Sequence, residues 1–115
     1  MADMVPVFMG KVAVVAPGTP VRVTTDLTRR VAAISFTAVP GASGAIYIGG
    51  AGMVKATLVQ VARKMTIPSA GVACDTFLVP MIPGGGAIHL HVLADYWIDA
   101  DGAGDGPLVT YWLRR

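Results

Sequence analysis

Tyr96-Trp-Ile-Asp-Ala-Asp-Gly-Ala-Gly-Asp-Gly-Pro-Leu-Val-Thr-Tyr-Trp-Leu113 sets two aromatic, β-prone runs around a short Asp/Gly-rich link. That composition predicts a β-hairpin. The link needs backbone angles that Gly adopts cheaply, and Asp can bond neighbouring N–H groups there. The stretch marks the chain as a β protein. It also holds the densest group of acids, Asp99, Asp101 and Asp105.

Similar punctuation recurs upstream. Lys11–Ala16 and Pro20–Thr25 alternate apolar and polar residues around Pro17-Gly-Thr-Pro20, which predicts a second hairpin near the amino end. Val31–Ala38 reads as a strand with Ile34 and Phe36 on one face. Ala45–Ile48 reads as a short strand closed by Gly49-Gly50. From Gly49 to Lys64 the spacing of Val54, Leu58 and Val61 hints at a helix, but the alternation over Thr57–Val61 favours an irregular loop and then a strand. Pro68 and Ser69–Ala73 read as a loop. Asp75–Ile82 is a strand, with Pro80 at an edge or bulge. Pro83–Gly86 is a turn and Ala87–Leu93 a strand. About eight short strands at spacings of roughly ten residues predict an all-β chain, a compact antiparallel β-sandwich or a jelly-roll-like barrel.

The length, 115 residues, fits a single domain. Residues 11–115 are expected to form it, with residues 1–10 as an apolar amino-terminal arm that docks on a neighbour. Only 14% of the chain is charged and 54% is hydrophobic; it has no Glu, no Asn and one Gln. Ordinary domains carry about 25% charge. So little charge clothes a soluble surface poorly, unless part of that surface is covered by other subunits. A homo-oligomer, dimer or trimer, is therefore expected.

Membrane insertion does not account for the composition. Val31–Val54 is uncharged and long enough to span, but Pro40 and several glycines interrupt it. No basic leader precedes the first apolar residues. The basic pairs Arg29-Arg30, Arg63-Lys64 and Arg114-Arg115 form no dense patch at a net charge of +2, so nucleic acid is not an expected partner. The lone Cys74 lies among apolar residues and reads as a small buried hydrophobe.

Three motifs suggest chemistry. Asp99, Asp101 and Gly104 match the first, third and sixth positions of a calcium loop, but Ala103 and Thr110 stand where further ligands belong. His89 and His91 are two apart, hence on one face of a strand, a spacing found in metal-dependent barrels such as cupins. A cupin-like site also wants a Glu and a third His, and the chain has neither. Gly49–Thr57 invites comparison with a phosphate loop, but no Gly immediately precedes Lys55. No catalytic set and no cofactor are expected.

Ala16-Pro-Gly-Thr-Pro-Val-Arg22, Ile46-Tyr-Ile-Gly-Gly50 with Gly52-Met53, and Tyr96–Asp101 with Gly104-Asp-Gly106 together resemble small structural proteins of tailed bacteriophages. The resemblance spans residues 11 to 113, carried by turn signatures. It implies a capsid decoration (cement) protein, made in the host bacterial cytoplasm and placed on the capsid exterior. There it would bridge copies of the major capsid protein. A tail, neck or fibre-base component is the alternative, and a cupin-like enzyme using His89 and His91 is the alternative of another class. Candidate contact residues are Tyr96, Trp97, Tyr111 and Trp112, because aromatics dominate interface energetics, and Met4, Val5, Val7 and Phe8 from the arm. Each adjacent aromatic pair must split between the core and the outside.

Overall fold

A computed structural model describes residues 4–39, 44–66, 75–84 and 87–114, with the backbone alone for residues 82–84 and 87–89. The strands are β1 (Met4–Lys11), β2 (Val21–Arg22), β3 (Arg30–Val31), β4 (Ala33–Thr37), β5 (Ile46–Val54), β6 (Val59–Met65), β7 (Thr76–Val79), β8 (Ile82–Gly84), β9 (Ala87–His89), β10 (His91–Val92), β11 (Trp97–Ala100) and β12 (Leu108–Arg114). One 3₁₀ turn, Leu93–Asp95, separates β10 from β11.

Two four-stranded sheets carry the fold. The first runs β1-β12-β4-β7 and the second β2-β11-β5-β6; β3 pairs with β10, and β8 with β9. Every pairing is antiparallel. The chain is all-β, as its turn spacing predicts.

Period-two alternation decides what each sheet buries. In β4, Ile34 and Phe36 point inward, while Ala33, Ser35 and Thr37 alternate outward. Val109 and Tyr111 of β12 meet them, and Ile46, Ile48 and Ile98 enter the same cluster from the second sheet. Each such side chain, fully buried, contributes about 1.5–3 kcal/mol. The Phe36 ring closes the core, stacked on Phe77 at 6.2 Å and tilted against Tyr96 at 6.0 Å.

The expected terminal hairpin is not formed. β11 pairs with β2 and β5, whereas β12 pairs with β1 and β4, so the Asp/Gly link crosses from one sheet to the other. The link bonds to the amino-terminal segment instead of closing a hairpin between β11 and β12. Gly104 N–H donates to Val14 O (2.8 Å), Val14 N–H to Asp105 O (2.8 Å) and Val12 N–H to Pro107 O (3.0 Å). The amino-terminal hairpin fails for the same reason, since β1 and β2 each take a carboxy-terminal partner. The two chain ends travel together across both sheets, and turn chemistry alone cannot reveal so distant a pairing.

The amino-terminal arm is likewise corrected. From Met4 onward it is an edge strand, with Val5 opposite Leu113 and Val7 opposite Tyr111. Gly49-Gly50 does not end its strand, because β5 continues to Val54 and turns through residues 55–58 into β6. Ala87–Leu93 is broken into β9 and β10. The loop expected at 68–73 and Cys74 lie outside the described residues.

Candidate interaction surface

The two outer faces differ sharply in charge. On the first sheet, cross-strand register places Met4, Pro6 and Phe8 beside Arg114, Trp112 and Thr110, and then Ala33 and Ser35 beside Trp112 and Thr110. Leu78 lies opposite Ser35, and Thr37 Oγ1 lies 3.4 Å from Thr76 Oγ1 at the far edge. Among these strands, charge occurs only at the ends, at Arg114 and Lys11. Phe8 is 77% exposed and Leu78 54%. An apolar groove of about 290 Å³ runs between Met4, Ala32, Ala33, Leu78, Met81 and Trp112. Scattered exposed apolar residues are ordinary, but a contiguous sheet face with so little charge is a candidate interaction surface.

The outer face of the second sheet is polar and already furnished. Arg22 lies over the Trp97 ring at 4.8 Å, and Lys64 over Tyr47 at 5.7 Å. Asp99 is only 1% exposed, because the Pro17–Thr19 turn folds over it. Its Oδ1 accepts Gly18 N–H (3.0 Å) and Ala100 N–H (2.8 Å). Two turn signatures read separately in the sequence, Pro-Gly-Thr-Pro and Ile-Asp-Ala, are thus one structural contact.

Asp101 has a different task. It accepts Ala45 N–H (3.1 Å), the Tyr47 hydroxyl (3.2 Å) and the Lys55 ammonium (3.3 Å). Burial alone would raise the Asp101 carboxyl, but these hydrogen bonds and the Lys55 charge outweigh it and hold the group below its ordinary value. Asp75 follows the same balance: burial opposes, while the Arg63 guanidinium at 2.7 Å and Thr66 N–H hold it low. Tyr47 is pushed up by burial and then by the Asp101 charge.

A carboxylate lowered in the folded state contributes stability above its unfolded pKa and loses it as pH falls through its folded one. Unfolding midpoints are therefore expected to decline below about pH 4. The decline should be shallower in Asp101→Asn, as urea titrations at several pH values would show. An equal slope in the variant would mean that Asp101 contributes nothing to the acid limb.

The candidate aromatics divide as alternation requires. Tyr111 is buried beside the Arg29 guanidinium at 6.0 Å, and Trp112 faces the groove. Tyr96 packs on the core, while Trp97 lies beneath Arg22. Val7 packs against the core; Val5 is half-buried, and Met4 and Phe8 belong to the outer face. Of the eight candidates, Met4, Phe8 and Trp112 share the uncharged face. Leu78 and Met81 escaped notice because their exposure depends on which strands pair.

The metal motifs fare differently. His89 and His91 belong to separate strands, β9 and β10, and so do not share one strand face; a ring nitrogen of His91 lies 3.0 Å from Pro80 O. Among the described residues no three His, Cys, Asp or Glu side chains stand together as metal ligands. Asp99 and Asp101 serve different backbone segments. Lys55 of the glycine-rich stretch donates to Ala100 O (2.8 Å), folded back against its own sheet. No protein-family model matches the chain, and comparison with curated proteins and with solved structures finds no match.

Proposed function

We propose that this chain is a capsid decoration protein of a tailed bacteriophage, an oligomer that docks on the assembled head and bridges capsomers. One observation carries the reading. The strand orders β1-β12-β4-β7 and β2-β11-β5-β6 support a jelly-roll reading, an architecture common in viral capsid domains, and the outer face of the first sheet carries charge only at its strand ends. Fold alone does not assign a function, since lectins and cupins use the same architecture. The phage-like turn signatures and the bare face supply the rest.

A decoration protein acts by mass action. Binding the expanded lattice better than the precursor stabilises the expanded state by the difference in affinity. Many modest contacts then reinforce the shell through multivalency.

The test is co-sedimentation of the purified protein with emptied, expanded heads, with unexpanded precursors and with tails. Retention on expanded heads alone is expected. Binding to tails instead would move the protein to the tail or neck. Stoichiometric metal in the purified protein, lost in His91→Ala, would revive the enzyme reading.

A further inference from the structure

A pocket of about 320 Å³ opens on the second sheet, between the glycine pair Gly49-Gly50, the Gln60–Ala62 bend of β6 and the Asp95-Tyr96 corner that leads into β11. Local backbone irregularities build it. The β5–β6 ladder shifts register between Ile48 and Gly49 and again between Gly49 and Val54. Gln60 takes φ +57°, a left-handed conformation uncommon outside Gly. A methyl on Gly49 would overlap the Gln60 carbonyl oxygen, so only Gly lets the bend come this close. Bulges re-aim side chains beside functional sites, and left-handed non-Gly residues gather at ligand clamps. The facing corner is pinned at both ends. Leu93 is buried and its N–H donates to Arg29 O (2.9 Å), while Tyr96 O accepts Val23 N–H (2.9 Å).

The polar side chains of this pocket are unspent. Among the described residues, the Gln60 amide, the Asp95 carboxylate and the Tyr96 hydroxyl make no hydrogen bond. Asp26, Asp75 and Asp101 each face a base, but Asp95 faces none among the described residues. Asp95 is also the one charged residue of the pocket wall. Burial, and then the Asp95 charge, raise the Tyr96 hydroxyl, which keeps it neutral and able to accept a hydrogen bond. Val61 and Ala62 complete an apolar wall. An anion would meet Asp95 here and find no base. An alkylammonium fits the set, with one positive charge, three donors, no acceptor and a methylene stem that suits an apolar wall.

We propose that this pocket binds a primary alkylammonium group, with the ammonium on Asp95, Gln60 and Tyr96 and the stem along Val61 and Ala62. The group is either the end of a lysine side chain on another protein or a free amine. The site goes beyond the virion reading and stands whether or not the protein binds heads.

Titration of the full chain with n-butylammonium, followed by heteronuclear NMR, tests it. The amide signals of Gly50, Gln60 and Tyr96 should move and saturate with a Kd of about 1–10 mM, the range of a small ligand held by one exposed charge. The neutral n-butanol should bind at least about tenfold more weakly. Asp95→Asn should lose affinity by a similar factor at an unchanged unfolding midpoint, because Asp95 is exposed. Gly50→Val should abolish binding, since a methyl at Gly50 meets nothing within 4 Å and a larger side chain there fills the pocket. Tighter binding of Nα-acetyl-lysine amide than of n-butylammonium would identify a protein lysine as the source, and no gain would identify a free amine. The proposal is overturned if no signal saturates by about 0.1 M amine, if n-butanol binds equally well, or if either variant keeps the wild-type affinity.

Discussion

Phe36→Ala is expected to destabilise the fold by about 3–5 kcal/mol, a large share of the 5–15 kcal/mol typical of a domain. Phe36 is fully buried on β4, and its ring touches Phe77 from the same sheet and Tyr96 from the segment leading into the other. Removing it takes away one of the contacts that join the two layers and leaves a cavity that neighbouring strands, fixed by register, cannot fill. Urea unfolding monitored by tryptophan fluorescence should show a large fall in midpoint at unchanged slope. A loss below about 1 kcal/mol would mean that the layers do not meet at Phe36.

The second large effect concerns a glycine. Gly106 is buried where the Asp/Gly crossover passes the amino-terminal segment, and an added methyl would overlap the Val12 carbonyl oxygen. The Val12 carbonyl carbon would stand at 2.7 Å and Ala13 Cα at 3.1 Å. All three are backbone atoms, and the Val12–Pro107 and Val14–Asp105 hydrogen bonds prevent an inexpensive retreat. Gly106→Ala should therefore cost about 3 kcal/mol or more, the upper end of overpacking. Gly104 provides the comparison. Its φ is +81°, but open space surrounds it, so Gly104→Ala should cost only the left-handed penalty of about 1–2 kcal/mol. Thermal unfolding of both variants checks the order. If Gly104→Ala proved the more damaging, the crossover would not pack against residues 12–13 as described.

Much of the strand content was legible because burial follows local alternation. Ile34 and Phe36 share a face in sequence and in space, and Tyr111 and Trp112 divide between core and exterior. The pairings were not legible. Asp/Gly-rich residues after Ala100 look the same whether they close a hairpin or cross between sheets, and only partners far away in the chain, such as Val21 for Ile98, decide the matter. Asp99 was misleading for a related reason. Its acidity suggested chemistry, but a turn eighty-one residues distant folds over it and makes it a backbone anchor. Likewise Met4 and Trp112 stood out by residue type, whereas Leu78 acquires meaning only from its strand neighbours.

An uncharged sheet face can remain bare in water or be covered by other protein chains, and the low charge of the whole sequence argues for coverage. Sedimentation equilibrium of the purified chain over a concentration series separates these directly. A mass that is a whole multiple of the single chain, falling towards one chain only on dilution, is the expected outcome. A single-chain mass at every concentration would contradict the assembly reading.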